Sequence, residues 1–498
     1  MSQSLPQKIK ELVCAGFSGI WVDTQEVADA VETIRRAAAE KQWGCECWDL
    51  DCQLYVHGQK APGPVQALRW LDSAEGRSTQ PQLLVLVNFH KYISNPEVMQ
   101  VLANRVHAGK KIGQHILVVS PVLQMVPEIE KLFTLVHHEL PDREQLTTIA
   151  NELFVGENEH LKPADDVLAT AVEAAAGMTR AEAENAFSLS MVRHRTLSPD
   201  VIWTLKSQVM EKAGTLSLYR GDASFDSLGG LSNLKEFCLR AMRRQGEADP
   251  NLRPKGVMLL SPPGCGKSQF AKALGNEVGR PTVMLDFGAL MGKFVGESEG
   301  NMRRALSMID AMSPCILFVD EIEKALSGVN SSSQTDSGVT ARLFGSLLTW
   351  LNDHKSDVFF IGTCNKIEQL PPEFTRAGRF DGVFFVDLPD ATAREYIWNL
   401  YLEKFGLDKE QKRPADANWT GAEIESCCRL ARLLDVSLVD AAQNVVPISV
   451  TAAESIESLR NWASGRCLSA NYAGLFQRNA PGDKPQAAQR RRTMPSSN

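Results

Sequence analysis

Gly256-Val257-Met258-Leu259-Leu260-Ser261-Pro262-Pro263-Gly264-Cys265-Gly266-Lys267-Ser268 is the stretch around which the sequence is organised. Its apolar half, Gly256–Leu260, predicts a buried strand, and the residues that follow Ser268 predict a helix. Between them lies a glycine-rich turn, whose backbone N–H groups can point at a polyphosphate at the positive end of the helix. Lys267 would reach the terminal phosphates and Ser268 would ligate Mg²⁺, so the stretch predicts a phosphate-binding loop.

One position departs from the usual G-x-x-x-x-G-K-[ST] pattern, because the first residue is Ser261 rather than glycine. The prediction therefore rests on Gly264, Gly266, Lys267 and Ser268 and on the strand and helix around them. The alternative is a proline- and glycine-rich turn before an unrelated helix. The rest of the chain decides between the two.

Composition limits the classes of protein that the chain can belong to. It has 498 residues, enough for two to four domains, and a formal net charge of −7, which disfavours binding to nucleic acid and to anionic membranes. We find neither an apolar run of membrane-spanning length nor a signal peptide, so we expect a cytoplasmic protein. The eleven cysteines include no C-x-x-C pair, which favours free thiols in a reducing cytosol over zinc sites.

The chain divides into two α/β segments, each followed by a helical segment. Residues 1–155 alternate apolar runs with helical patterns, which predicts an α/β domain with a parallel sheet covered on both faces. Residues 156–213 are predicted to be helical and lid-like, and residues 214–224 to form a linker. We predict a second α/β core over 225–390, a helical lid over 391–466 and a C-terminal tail over 467–498, disordered from about 479.

Four segments of the first half resemble segments of the second half in the same order. The pairs are Trp48–Leu50 with Leu285–Phe287, Leu84–Phe89 with Ile316–Glu321, Leu140–Asp142 with Leu388–Asp390, and Met178–Asn185 with Trp419–Ser426. Each pair is weak, but their common order favours duplication of one fold. The first copy has no glycine-rich loop and carries Asn88-Phe89 in place of Asp320-Glu321. We therefore predict that it serves structure or partner binding rather than nucleotide chemistry.

Further polar side chains in the second half follow predicted strands. Asp320 would hold Mg²⁺ and Glu321 would orient and activate the attacking water. Asn365 follows the next strand and could bind the γ-phosphate or the water, although an ordinary cap is the alternative. Arg376 and Arg379 flank a glycine and suit developing phosphoryl charge, either in their own subunit's site or in that of a neighbouring subunit.

Together these motifs resemble those of an AAA+ ATPase module over about residues 222–452. The resemblance implies a P-loop NTPase core with a helical lid, ATP and Mg²⁺ as ligands, and assembly into a ring, usually a hexamer. It assigns Lys267, Glu321, Asn365, Arg376 and Arg379 to catalysis, with the two arginines as fingers, and Ser268 and Asp320 to the metal. The residues that it assigns to the nucleotide are Ser261, Pro262, Pro263, Gly264, Cys265, Gly266, Lys267, Ser268, Gln269, Leu228, Gly229, Gly421 and Ala422.

The same resemblance implies a pore loop that grips an extended peptide, at Phe294, Val295 and Gly296. Burial of Phe294 and Val295 in the core is the alternative, but the charged residues on both sides of the segment favour exposure. One departure concerns Leu351–His354, which lacks the Asp-Gly-Phe that usually signals between subunits. The N–H donors around Cys265 could favour its thiolate, but we favour the other interpretation, a small packed thiol.

The whole chain, a degenerate AAA-like half followed by one intact module, is most similar to the divergent AAA proteins of cyanobacteria and plastid genomes. We expect an ATPase that remodels a protein substrate or works with an adaptor, in a bacterial cytoplasm or a plastid stroma. The alternative is a slow, nucleotide-gated assembly or binding protein. The negative net charge disfavours a nucleic-acid motor. The sequence contains no His-Glu-x-x-His zinc signature, so it gives no indication of a fused protease.

Overall fold

The computed structural model describes residues 4–50, 55–56, 59–60, 63–72, 79–243, 252–290, 297–327, 334–366 and 379–478. The chain splits into two compact units, Met1–Lys206 and Ser207–Asn498. Among the helices in these ranges, none combines the length and the apolar character that crossing a membrane requires.

The first unit contains a five-stranded sheet in which every pairing is parallel, in the order β2-β5-β6-β1-β7. The sequence predicts strands at about 17–23, 45–50, 83–87 and 116–120, and all four are present. Thr134–His137 adds a fifth at one edge. The strands β3 and β4, each two residues long, pair with each other as a separate antiparallel hairpin. The strands are β1 Gly19–Asp23, β2 Gly44–Trp48, β3 Tyr55–Val56, β4 Gln59–Lys60, β5 Gln82–Val87, β6 Gln114–Ser120 and β7 Thr134–His137.

Helices cover both faces of this sheet, because alternate residues of each strand point to opposite sides. Trp21, Leu84 and Val118 belong to one buried cluster, whereas Val22 and Val119 belong to the other. A parallel sheet covered on both faces is thus confirmed for the first half. Its helices are α1 Leu5–Cys14, α2 Val27–Glu40, α3 Pro64–Arg69, α4 Pro96–Ile112 and α5 Pro127–Glu130.

A helical cluster follows within the first unit, with its own buried core around Leu146, Phe154, Val172 and Phe187. Thr179 caps α8 with its side chain, in a reciprocal arrangement with Glu182 that stabilises the start of the helix. The helices of this part are α6 Arg143–Glu152, α7 Asp165–Ala175, α8 Arg180–His194 and α9 Pro199–Ala213.

The second unit contains a seven-stranded sheet in the order β14-β13-β9-β12-β11-β10-β8, in which only the pairing of β8 with β10 is antiparallel. The sequence predicts strands at 257–260, 282–285, 315–319, 358–362 and 383–386, and these are the five central strands of the sheet, which confirms the mixed α/β fold. The strands are β8 Leu216–Tyr219, β9 Gly256–Leu260, β10 Thr282–Leu285, β11 Cys315–Val319, β12 Val358–Cys364, β13 Gly382–Phe385 and β14 Leu468–Ser469.

Two segments differ from the expected organisation. Residues 214–224, expected as a linker, contain β8, whose residues Leu216–Tyr219 pair with β10. Residues 467–478, expected as the start of a tail, contain β14 and place Phe476 against Phe385 at a ring distance of 4.4 Å. Both segments therefore belong to the folded second unit. The disorder expected from about residue 479 falls outside the described residues.

The helices of the second unit form the layers of the core and a separate lid cluster around Trp398, Trp419 and Ile424. The core helices are α10 Ser232–Met242, α11 Lys267–Glu277, α12 Phe287–Leu290, α13 Glu297–Ala311, α14 Ile322–Ser327 and α15 Gln334–Asp353. The remaining helices are α16 Ala391–Phe405, α17 Gly421–Leu434, α18 Leu438–Ala442, α19 Ile448–Thr451 and α20 Ala453–Ala463.

The two sheets share one strand order, which supports the duplication that the sequence indicates. Read from the other edge, the first sheet runs β7-β1-β6-β5-β2, and the centre of the second runs β13-β9-β12-β11-β10. When the five strands of each group are counted in chain order, the first strand lies between the fifth and the fourth in both sheets. Corresponding positions of the two units can therefore be compared strand by strand.

Candidate functional site

The phosphate-binding loop lies between β9 and α11, at the carboxyl edge of the second sheet. Gly264 and Gly266 have φ values of +80° and +84°, which a residue with a side chain rarely adopts. A Cβ atom on Gly264 would also come within 2.9 Å of the Thr420 Oγ1 atom. Both glycines are thus needed for the turn, and the helix begins directly after it at Lys267.

Lys267 is nearly buried, with 7% of its surface exposed. Its Nζ donates hydrogen bonds to the carbonyl oxygens of Ser261 at 3.2 Å and Pro262 at 3.1 Å, and to Oδ1 of Asn365 at 2.6 Å. Burial lowers the pKa of this ammonium group. A nearby anion would offset the cost of that desolvation, because it stabilises the charged form.

The two carboxylates follow β11, whose carboxyl end lies at the same edge of the sheet. Oδ2 of Asp320 accepts a hydrogen bond from Ser268 Oγ at 3.1 Å, so the two residues expected to hold the metal are in contact. Thr363 Oγ1 donates to Oδ1 of Asp320 at 2.5 Å and accepts from the Glu321 backbone N at 2.8 Å. Thr363 therefore fixes the positions of both acidic residues.

Glu321 has both of its carboxylate oxygens occupied. Oε1 accepts from Asn365 Nδ2 at 2.7 Å, and Oε2 forms an ion pair with Lys324. The φ of Glu321 is +46°, a conformation that costs energy for a residue with a side chain. Glu321 thus combines a strained backbone with a carboxylate that is held by Asn365 and Lys324.

Two buried residues of this site were not singled out from the sequence. Glu323 has 3% of its surface exposed, and its Oε1 accepts from the Asn365 backbone N at 2.9 Å. Thr363 is fully buried. Glu323 lies two residues after Glu321, but its contact joins the start of α14 to the residue that follows β12. Residue spacing in the sequence does not predict such a contact.

The lid and the segment before the core reach the loop from the other side. Ala422 N donates to the Gly264 carbonyl oxygen at 3.3 Å, and Gly421 lies beside it at the start of α17. Leu228 is buried, and its Cδ2 would lie 3.3 Å from a Cβ atom on Gly266. A Cβ atom on Gly229 would lie 2.6 Å from Cγ1 of Ile397, so only glycine allows this close approach.

Three further loop positions are placed in the same region. Ser261 is fully buried, and its backbone N donates to the Cys364 carbonyl oxygen at 3.1 Å. Gln269 Nε2 donates to Ser227 Oγ at 3.3 Å. Burial raises the pKa of the Cys265 thiol to about 11, which favours the small packed thiol over the thiolate.

Of the two predicted arginines, the structure describes Arg379, which does not join this cluster. Arg379 precedes Asp381, whose Oδ2 accepts from the backbone N of Gly256 at 2.8 Å, at the amino end of β9. The phosphate-binding loop lies at the carboxyl end of the same strand, roughly 13 Å along it. Arg379 therefore lies near the opposite edge of its own sheet. Arg376, Phe294, Val295 and Gly296 lie outside the described residues.

The side chains that are brought together match a magnesium–polyphosphate complex in their chemistry. Ser268 and Asp320 offer the hard oxygen ligands that Mg²⁺ prefers, and Lys267 supplies a cation inside a turn of backbone N–H groups. Glu321 and Asn365 lie next to them with a base and an amide. These residues fit ATP and Mg²⁺ without rearrangement of the strands.

Comparison with known proteins agrees with this geometry. The model of the family "ATPase family associated with various cellular activities (AAA)" matches residues 257–388. The model "SpoVK-like AAA ATPase, N-terminal domain" matches residues 5–138, and "SpoVK-like AAA ATPase, second domain" matches residues 143–213. The fold and the site thus define an ATPase of the AAA class, with a nucleotide-binding module.

Individual relatives identify the family within this class. The AAA domain-containing protein ycf46 of Pyropia yezoensis is 30% identical over 438 residues, covering 83% of this chain and 88% of the relative. The ycf46 protein of Guillardia theta is 29% identical over 493 residues, covering 93% and 95%. The human ATPase family gene 2 protein homolog A is 36% identical over 226 residues, covering 43% of this chain and 25% of that protein. The chain belongs to the ycf46 family of AAA domain-containing proteins, which confirms the predicted resemblance.

Proposed function

We propose that the protein is a Mg²⁺-dependent ATPase that assembles into a ring and remodels protein substrates through a central pore. The ring is expected to be a hexamer. The observation that carries the proposal is the continuous set of contacts from Lys267 through Asn365 to Glu321, beside the Ser268–Asp320 pair. Each residue lies at the carboxyl edge of one sheet, where open α/β sheets bind their ligands.

In this proposal each residue has one task. Lys267 and the turned backbone of residues 261–268 bind the β- and γ-phosphates, and Ser268 and Asp320 hold Mg²⁺, which would neutralise developing charge on the phosphates. Glu321 accepts a proton from the attacking water, and Asn365 orients that water or the γ-phosphate. Gln269, Leu228, Gly229, Gly421 and Ala422 surround the rest of the nucleotide.

A ring would explain the placement of Arg379. Arg379 lies near the sheet edge opposite the phosphate-binding loop of its own chain, so it would serve a neighbouring subunit's nucleotide. We assign Arg376 the same task from its position in the sequence. Phe294, Val295 and Gly296 would grip an extended peptide within the ring.

The first half of the chain is proposed to have a structural or partner-binding role. We assign residues 1–155 and 156–213 to a degenerate AAA-like domain and its lid-like helices, which bind an adaptor or buttress the ring. Residues 225–390 and 391–466 form the ATPase core and lid. We place the protein in a bacterial cytoplasm or a plastid stroma, and nucleic acid and membranes are not among its proposed partners.

One observation favours a second function, a slow nucleotide-gated switch without substrate threading. Both carboxylate oxygens of Glu321 are already bound, by Asn365 and Lys324, so the general base must be released before it can accept a proton. A base that is rarely free gives slow turnover. In this case ATP would control assembly, and hydrolysis would only reset it.

The experiment compares the wild-type protein with Glu321→Gln. We expect the variant to bind ATP normally, to lose turnover by about 100-fold or more, and to remain as a ring with ATP. Steady-state hydrolysis and light scattering with and without ATP measure both properties. Glu425→Gln, in an exposed ion pair of the lid, is the matched control and should behave as wild type.

The outcomes separate the two functions. A wild-type ring with rapid turnover, and protein substrates that co-purify with the ATP-bound variant, support the remodelling ATPase. A ring that forms with ATP but turns over slowly in the wild type supports the switch. Unchanged turnover in Glu321→Gln contradicts the assignment of the general base in both.

A further inference from the structure

The first unit has its own cluster of polar side chains at the sheet edge that corresponds to the phosphate-binding loop. Glu26 follows β1, His138 follows β7, and Asp29 lies in the first turn of α2. Because β1 and β7 are parallel neighbours, their carboxyl ends meet at this edge. One ligand atom from each of the three residues lies within 4.8 Å of the other two.

Neighbouring groups hold all three side chains in place. His138 Nδ1 lies 2.9 Å from Oγ1 of Thr24, which also accepts from the Glu26 backbone N at 2.9 Å. His138 Nε2 lies 3.6 Å from Oδ2 of Asp29. Such contacts to the outer atoms of metal ligands fix the orientation of the ring and of the carboxylates.

Arg180 contacts the same carboxylates but cannot balance their charge alone. Its backbone N donates to Glu26 Oε1, and its Nε lies 3.7 Å from Asp29 Oδ1. The guanidinium also pairs with Glu152 at 3.0 Å and with Glu184 at 2.8 Å. One positive charge is therefore shared among several carboxylates, and the local excess of negative charge favours a further cation.

All three side chains are half-buried, and a neutral His138 imidazole has a lone pair on one ring nitrogen to offer a metal. Each carboxylate oxygen has a second lone pair beyond its contact with Arg180.

We propose that Glu26, Asp29 and His138 bind one divalent transition-metal ion, of the class of Mn²⁺, Co²⁺ or Zn²⁺. One imidazole and two carboxylates suit these ions, whereas Mg²⁺ prefers oxygen ligands alone. The site would thus differ in kind from the one at Ser268 and Asp320. The first unit would have a cation site at the edge where the second unit has its anion-binding loop.

Binding of Mn²⁺ to the metal-free full-length chain, followed by electron paramagnetic resonance, tests the proposal. Mn²⁺ prefers oxygen and nitrogen ligands to thiolates, which matters in a chain with eleven cysteines. We expect Asp29→Asn and His138→Gln each to weaken binding at one site by at least about 10-fold. His137→Gln, at an exposed neighbour, and Asp320→Asn, in the second unit, should leave that site unchanged.

A measurement on the wild-type chain covers the case in which the variants do not fold. Electron spin-echo modulation from a nitrogen bound directly to Mn²⁺ identifies an imidazole ligand, which Ser268 and Asp320 do not provide. Nitrogen modulation that is retained in His137→Gln supports the site. Its absence from the Mn²⁺-loaded wild type, or equal Mn²⁺ affinity in wild type and a folded His138→Gln, overturns the proposal and leaves an ion-pair network around Arg180.

Discussion

The side-chain amide of Asn365 donates a hydrogen bond of 2.7 Å to Oε1 of Glu321. Its Oδ1 accepts a hydrogen bond from Lys267 Nζ at 2.6 Å. The amide nitrogen thus faces a carboxylate and the amide oxygen faces an ammonium group, so both contacts support the same orientation of the amide. A third contact, from its backbone N to Glu323, fixes the position of the residue. Asn365 thus links the proposed phosphate-binding lysine to the proposed general base.

Removal of this link should slow hydrolysis more than it weakens binding. We expect Asn365→Ala to lower kcat by about 100-fold, since loss of one oriented donor in a catalytic site has effects of this size. The affinity for ATP, measured with a fluorescent analogue, should fall much less. Asn399→Ala, on an exposed face of the lid, is the control. Equal losses of affinity and of kcat would assign Asn365 to nucleotide binding instead.

Lys324 should restrain Glu321 through their ion pair. We expect Lys324→Met to raise the basal turnover, by no more than about fivefold, because exposed ion pairs are weak. Lys404→Met removes a comparable exposed pair with Glu425 in the lid and should leave turnover unchanged. A lower turnover in Lys324→Met would show that the lysine assists the reaction rather than restraining the base.

Cys265 should react slowly with alkylating reagents at neutral pH, although it lies in the phosphate-binding loop. With a pKa of about 11, only about one thiol in a thousand is ionised at pH 8. Labelling by iodoacetamide should therefore rise about tenfold per pH unit between pH 7 and pH 9. Peptide mass spectrometry should find the exposed Cys14 modified first. Preferential labelling of Cys265 at pH 7 would contradict the raised pKa.

The segment after Arg466 should be required for the stability of the second unit. Asn471 Oδ1 accepts from the Leu231 backbone N at 2.9 Å, and Phe476 packs on Phe385. We expect truncation after Arg466 to lower the Tm by at least about 5 °C, since burial of one phenylalanine alone contributes about 3–5 kcal/mol. Truncation after Arg478 should leave the Tm, measured by calorimetry, unchanged. Similar Tm values for the two truncations would rule out this contribution.

The sequence predicted the strands that are buried on both faces, because these are continuous apolar runs. Leu83–Val87 and Cys315–Val319 are examples, and both are central strands of their sheets. The strands that it missed lie at sheet edges. β7, β8 and β14 are short, and the first two combine polar or half-exposed residues with apolar ones. Edge strands bury less surface, so their sequences carry a weaker pattern.

The residues of the candidate site also differ in how far the sequence predicts them. Residues whose task depends on local spacing, such as Lys267 after its glycines or Asp320 after its strand, could be found from the sequence. Thr363 and Glu323 could not, because each contacts a residue about 40 positions away in the sequence, which only the fold brings near. For Cys265 the sequence favoured a small packed thiol, and the folded loop supplies the burial that raises its pKa to about 11.

The antiparallel pairing of β8 with β10 has a practical consequence for anyone who expresses the ATPase module alone. A fragment that begins at residue 225 would lack Leu216–Tyr219 and would leave the backbone N–H and C=O groups of Thr282–Leu285 open on one side. An open strand of this kind is a template for pairing with other copies and for aggregation. A fragment that begins before residue 216 keeps this side of the sheet closed.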